Sequence, residues 1–168
     1  MKPLFTSAAL EKRIKELGQQ ITDDHRRHQD LVVIGVLKGS FIFVADLVRA
    51  LDLPIEVEFI GVSSYKGTQS TGEVRITHDL SVEIRDRPVL LVEDIVDTGT
   101  TIDFLLDTLR VRQPASLKIA TLLSKPEVHK MRHPLDYVGF EISKEFVVGY
   151  GLDLDGRYRE LPEIRQLN

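Results

Sequence analysis

The sequence predicts an α/β fold in which a mostly parallel central sheet is flanked by helices. Three observations carry that expectation. Short, branched apolar runs recur, among them "LVVIGVL" (31–37), "VLLV" (89–92) and "IATLL" (119–123), and each reads as a strand buried on both faces. Segments with helical spacing of apolar residues lie between them. Polar stretches follow the strands: "KGS" after the first, "EDIVDTGTT" after the central one, and "SK" after "IATLL". Right-handed crossovers put the strand ends of such a sheet on one side, which is where ligands of open α/β sheets bind.

Taken in order, Leu10, Ile14, Leu17 and Ile21 share one face of an N-terminal helix that starts at Thr6 or Ser7, with Glu11 in its first turns. "LVVIGVL" is the first buried strand. Val44, Leu47, Val48 and Leu51 mark a helix from near Ser40, and Pro54 closes the turn behind it. "IEVEFIGV" is a strand with partial alternation, and the polar stretch "SSYKGTQSTGEV" (63–74) leads to "EVRI", a candidate antiparallel strand. Pro88 opens "VLLV". Ile102, Leu105, Leu106 and Leu109 give the spacing of a helix after Thr101. "SLKIATLL" and "DYVGFEI" are further strands, and "FVVGYG" is the last apolar stretch before a charged tail.

Composition narrows the function classes. The 168 residues suffice for one domain with a proper core. Contents of 42% hydrophobic and 29% charged residues place the chain among globular rather than disordered proteins. The lack of cysteine excludes disulfides and thiolate metal sites. No apolar run approaches the roughly 20 residues of a membrane helix. The stretch "MKPLFTSAALEKRIKELG" lacks the uninterrupted apolar core of a secretory signal, so a cytoplasmic location without a membrane partner is expected. A net charge of −4 argues against nucleic acid as a partner.

The chemistry concentrates in "VLLVEDIVDTGTT" (89–101), where a buried strand runs into three carboxylates and a hydroxyl-rich turn. Thr98, Gly99, Thr100 and Thr101 sit where a helix begins. First-turn N–H groups lack intrahelical partners and attract an anion, glycine lets it approach, and threonine hydroxyls add donors. The Gly-x-x-x-x-Gly-Lys of a nucleoside-triphosphate loop is absent. The adjacent carboxylates of Glu93 and Asp94 call for a cation such as Mg2+, or for a sugar diol. Asp97, a turn further on, is a candidate general base. Phosphate at one end and diol or cation at the other describe a phosphorylated ribose. The bland alternative is a capped helix with acids near its start.

The string "VEDIVDTGTT" resembles the 5-phosphoribosyl diphosphate (PRPP) signature of type I phosphoribosyltransferases. With "VLKGSF", "SSYKGTQSTGEVRI", "LLSKPE", "DYVGFEI" and "EFVVGYGLDLDGRYRELPEI", nearly the whole chain is similar to the hypoxanthine-guanine phosphoribosyltransferase family. The resemblance implies the type I phosphoribosyltransferase fold as one domain over 1–168. Its parallel core would span about 25–125, with a small hood from the N- and C-terminal segments and a mobile loop at about 63–74. It implies transfer of phosphoribose from PRPP to hypoxanthine or guanine with Mg2+, in a homodimer or homotetramer.

The resemblance also implies residue roles. Glu93 and Asp94 face ribose hydroxyls and metal, Asp97 is the base at purine N7, and Thr98, Gly99, Thr100 and Thr101 hold the 5′-phosphate. Lys38 and Gly39 bind pyrophosphate, after a non-proline cis bond. Lys125 donates to the purine O6, an acceptor that adenine lacks. Phe146 stacks on the base, Val147 reads its edge through the backbone, and Ile95 covers its other face. Asp153 is a second metal-associated carboxylate, and Arg159 contacts pyrophosphate with its planar fork. Ser64 and Tyr65 belong to a lid that excludes water.

Two other patterns are discounted. His129 and His133 have metal-ligand spacing, but Pro134 follows at once and no third ligand is near. "DLDG" (153–156) fails as a calcium loop, because alignment on Gly156 puts Gly151 and Pro162 at ligand positions. The competing functions are a xanthine-preferring phosphoribosyltransferase, a PRPP-sensing RNA-binding regulator, and an inactive scaffold.

Overall fold

In the computed structural model, which describes residues 1–27, 30–64 and 73–168 (Ser64 by its backbone alone), two sheets are formed. The order along the chain is β1 (Lys2–Phe5), α1 (Ser7–His25), β2 (Leu31–Leu37), α2 (Phe41–Arg49), β3 (Ile55–Ser64), β4 (Val74–His78), β5 (Pro88–Val96), α3 (Thr100–Arg110), β6 (Ser116–Ser124), β7 (Tyr137–Glu141), β8 (Val147–Val148) and β9 (Ile164–Gln166). The larger sheet runs β4-β3-β2-β5-β6-β7, with β3–β4 antiparallel and the other pairs parallel. This is the predicted α/β class, and "EVRI" pairs antiparallel as the sequence suggests.

Strand alternation divides the core in two. Leu31, Val33, Leu90 and Val92 point to the side covered by α1 and α2, where they meet Leu10, Ile14, Leu17, Phe43 and Leu47. Val32, Ile34, Val89 and Leu91 point to the other side, against Ile102, Leu105, Leu106 and Leu109 of α3. Both faces of β2 and β5 are therefore buried, which accounts for runs with no polar residue. Thr6 caps α1 by accepting from the Ala9 N–H at 3.2 Å. Arg13, from the same helix, donates to the carbonyls of Val138 and Gly139 on edge strand β7, both at 2.7 Å.

Three departures from expectation have local causes. Helix α2 stops at Arg49, short of Leu51, because i→i+3 bonds from Ala50 and Leu51 to Leu47 and Val48 tighten its last turn. Strand β5 continues past "VLLV" to Val96, because β6 still pairs with it after its pairing with β2 has stopped at Val92. The apolar run "FVVGYG" makes only the two-residue β8. Gly149, Tyr150 and Gly151 then turn through positive φ (98°, 53° and 99°) and break the strand. β8 joins β9 and β1 in a small antiparallel sheet, order β1-β9-β8. Among the described residues, no helix is long and apolar enough to cross a membrane.

The Tyr150 hydroxyl donates to the Asp46 carboxylate, and the Tyr137 hydroxyl to Asp24 at 2.6 Å. Burial, followed by these hydrogen bonds, pushes both phenols well above the usual tyrosine range. The folded protein keeps both protons where the unfolded chain, with a tyrosine pKa of about 10, loses them. The contribution is complete below that value and declines as pH rises past it. Thermal melts should show stability falling from about pH 10 upward. Tyr150→Phe should cost about 1.5–3 kcal/mol near neutrality and flatten that alkaline decline.

Candidate active site

Beyond Val92, the last β5 residue paired with β2, Glu93 to Val96 are held by β6 alone, and the sheet opens into a cleft of about 250 Å3. Gly39, Val62, Ile102 and Thr101 line it together with the continuous stretch from Glu93 to Gly99. The sequence-predicted residues Gly39, Glu93, Asp94, Ile95, Asp97, Thr98, Gly99 and Thr101 thus share one cavity. A larger cleft of about 540 Å3 lies between α1, α2 and residues 160–162. Most of its charged groups are already paired (Asp46 with Tyr150 and Arg49, Glu11 with Lys15), and none of the sequence-predicted site residues lines it, so size alone does not make it the site.

The acidic end is tightly built. Glu93 is only 7% exposed, and burial followed by the neighbouring charge of Asp94 pushes its carboxyl well above the usual range. Glu93 Oε1 accepts the Asp94 N–H at 3.0 Å, and Asp94 Oδ1 accepts the Ile95 N–H at 2.7 Å. The Leu37–Lys38 peptide is cis, as the resemblance implies. Lys38 is exposed, and Gly39 lies against the acids: a Cβ there would fall 1.8 Å from Asp94 Oδ2. Ser40 is buried and ties the turn down by donating to the Val36 carbonyl at 2.6 Å.

The opposite end is the mouth of α3. Gly99, at the N-cap of α3, takes φ +88° and offers no side chain to cap the helix; of the first amides, the Thr100 N–H donates weakly to the Thr98 hydroxyl at 3.4 Å. The Thr98 hydroxyl donates to the Thr100 hydroxyl at 3.2 Å; Thr100 itself is exposed and lies outside the cavity lining. Between the two ends, Lys125 Nζ approaches Asp97 Oδ2 to 3.3 Å. Lys125 is 8% exposed, and its N–H donates to the Val96 carbonyl at 3.0 Å, so β6 delivers it from 28 residues away.

The C-terminal candidates stand apart from this lining. Phe146, just before β8, is 53% exposed, whereas the Val147 side chain is buried. Arg159 donates to the Gly151 carbonyl at 2.5 Å and pairs with Asp153 at 3.2 Å, while Asp153 also accepts the Gly156 N–H at 2.7 Å. This segment reaches the site through Gly151, where a Cβ would lie 2.2 Å from the Gly39 carbonyl oxygen. The Ser64 side chain, Tyr65 and most of the expected mobile loop lie outside the described residues. Among the described residues, no three acidic or histidine side chains converge on one point. Residues the sequence reading missed include Val62, Lys130, Met131 and Asp103. Met131 lies where a Gly99 Cβ would be, within 2.2 Å, and nothing in its sequence context signals that.

Residues 2–155 match the phosphoribosyl transferase domain family, and the chain belongs to it, specifically to its hypoxanthine-guanine branch. The chain is 49% identical to the hypoxanthine-guanine phosphoribosyltransferase of Mycobacterium avium, over 98% of this chain and 84% of that one. It is also 49% identical to the hypoxanthine phosphoribosyltransferase of Haemophilus influenzae, over 94% and 90%. The solved hypoxanthine phosphoribosyltransferase of Trypanosoma cruzi in complex with the product IMP superposes with a TM-score of 0.93 at 46% identity, covering 99% of this chain and 94% of that one.

Proposed function

We propose that this protein transfers the 5-phosphoribosyl group of PRPP to hypoxanthine or guanine, giving IMP or GMP and pyrophosphate, in purine salvage. One observation supports this most: a single cleft has the adjacent acids Glu93 and Asp94 at one end, the N-terminus of α3 at the other, and the Asp97–Lys125 pair beside them. A ribose 5-phosphate matches that polarity, and the pair offers an acceptor and a donor at the spacing of a purine's N7 and O6 edge.

In this reading the helix mouth from Thr98 to Thr101 holds the 5′-phosphate, and Glu93 and Asp94 bind the ribose hydroxyls. Lys38, Gly39 and Arg159 receive pyrophosphate. Phe146 and Ile95 sandwich the base, the Val147 backbone reads its edge, and Ser64 and Tyr65 close over the site. Purine N9 bonds to C1 of the ribose as the C1–oxygen bond to pyrophosphate breaks. The proton released by the base passes to Asp97, while Lys125 donates to O6. Charge at C1 grows toward an oxocarbenium ion, so orientation and fixed charges supply most of the rate.

The residues fit Mg2+, which prefers one or two carboxylates plus water and substrate oxygens over an all-protein cage. The adjacent carboxylates of Glu93 and Asp94, the first held above its usual range by burial, are the observation in favour, with Asp153 as the further carboxylate. When bound, the ion supplies positive charge that neutralises the leaving diphosphate. Self-association as a homodimer or homotetramer is part of the same proposal. Phe41 and Val57, 41% and 40% exposed, are apolar side chains such contacts would cover.

A spectrophotometric assay with PRPP, Mg2+ and a panel of hypoxanthine, guanine and xanthine tests the reading. Turnover is expected with the first two. Fastest turnover with xanthine would shift the specificity, and no turnover with any base would end the proposal. Retention on RNA across a salt series is the measurement for the regulatory alternative.

A further inference from the structure

The segment after Lys125 makes an ordered series of contacts along α3. The Lys130 N–H donates to the Thr98 carbonyl at 2.9 Å, and Met131 packs into the space a Gly99 side chain would need. The Arg132 N–H reaches Asp103 Oδ2 at 3.4 Å; its guanidinium lies 3.7 Å from the same carboxylate and 2.6 Å from Asp107 Oδ2. Arg110 then meets His133 at 2.9 Å. Gly99, Asp103, Asp107 and Arg110 follow helical spacing, so consecutive residues 130–133 lie along one face of α3 from its mouth to its end.

The strap begins at the site itself. The Lys125 carbonyl accepts from Val128 and His129, so the same short segment leaves the Asp97–Lys125 pair and returns to the turn from Thr98 to Thr101. Asp103 contributes twice: its N–H donates to the Gly99 carbonyl at 2.9 Å, and its carboxylate anchors Arg132. One oxygen of that carboxylate, Oδ1, is buried without a hydrogen-bond partner. The acid near the helix mouth thus spends its charge on the strap.

From this geometry we infer that Asp103 and Arg132 are positioning residues, which hold residues 130–131 against Thr98 and Gly99 and so preorganise the anion-binding turn. Neither touches substrate; they act through the backbone that does. The inference rests on the proposed assignment of that turn to the 5′-phosphate. It predicts an effect confined to ligands that carry the phosphate.

The test compares IMP with inosine, which lacks the phosphate, by calorimetry on wild type, Arg132→Ala and Arg132→Lys, with PRPP kinetics alongside. Arg132→Ala should weaken IMP about fivefold, the scale of an exposed ion-pair network. Inosine should change by less than about twofold, and KM for PRPP should rise while kcat holds. Arg132→Lys keeps the charge but not the fork, so it should fall in between. Equal weakening of IMP and inosine, or no change in either, would overturn the inference, and thermal melts of each variant separate loss of fold from loss of positioning. Wild-type protein that fails to prefer IMP over inosine would instead overturn the phosphate assignment beneath it.

Discussion

Asp97→Asn should lower kcat by about a hundredfold, or about 2.7 kcal/mol of transition-state stabilisation, the scale of a lost general base. The amide matches the carboxylate in shape but cannot take up the proton that the purine releases. The proposed PRPP contacts come from other groups, so KM for PRPP should change little. Lys125 makes the control necessary: its ammonium is buried and pairs with Asp97 at 3.3 Å. Loss of that counter-charge could disturb base binding as well as proton transfer. Measured GMP affinity separates the two. A large drop in kcat at near-constant GMP affinity supports the base role, and undiminished turnover would remove it.

Gly39→Ala should raise KM for PRPP by about a hundredfold, because a small misplacement of a binding group is that costly. The added methyl would meet Asp94 Oδ2 at 1.8 Å, closer than any contact can be. The atoms in its way, Oδ2 and Cγ, belong to the Asp94 side chain rather than to backbone, so Asp94 swings aside and the fold survives. A melting temperature close to wild type, within about 2 °C, is therefore expected. In the proposed assignment Asp94 binds the ribose hydroxyls, which a rotated carboxylate can no longer do. An unchanged KM would mean that Asp94 does not work from the position seen here.

Much of the fold could be read from local pattern. β2 and β5 carry uninterrupted branched apolar residues because both of their faces are covered, and α1 and α3 show helical spacing because each covers one of those faces. The small β1-β9-β8 sheet was not legible in local pattern; only the resemblance implied a hood from the two terminal segments. Its strands are short, and Lys2 pairs with Gln166, a partner no local window contains. The continuation of β5 was missed for a related reason. Carboxylates look like a strand end, but Glu93 stays in the ladder opposite Thr121.

The site divides along the same line. Acids and anion-seeking turn sit within nine residues, so their opposed polarity could be read from adjacency alone, together with the glycine that lets a phosphate approach. Resemblance suggested Lys125 and Gly39 as partners, but adjacency could not say what they touch.

By itself, the amino-acid order determined the alternation of strand and helix and the charge pattern across residues 93–101, since both depend on neighbours a few positions apart. Only the tertiary structure decided that Lys125 meets Asp97, that Gly39 lies under Asp94, that Arg159 pairs with Asp153 and that Met131 closes over Gly99. Most of those meetings depend on which strands lie side by side and on where the chain returns after leaving the sheet. That is settled by burial of the whole core rather than by any one segment.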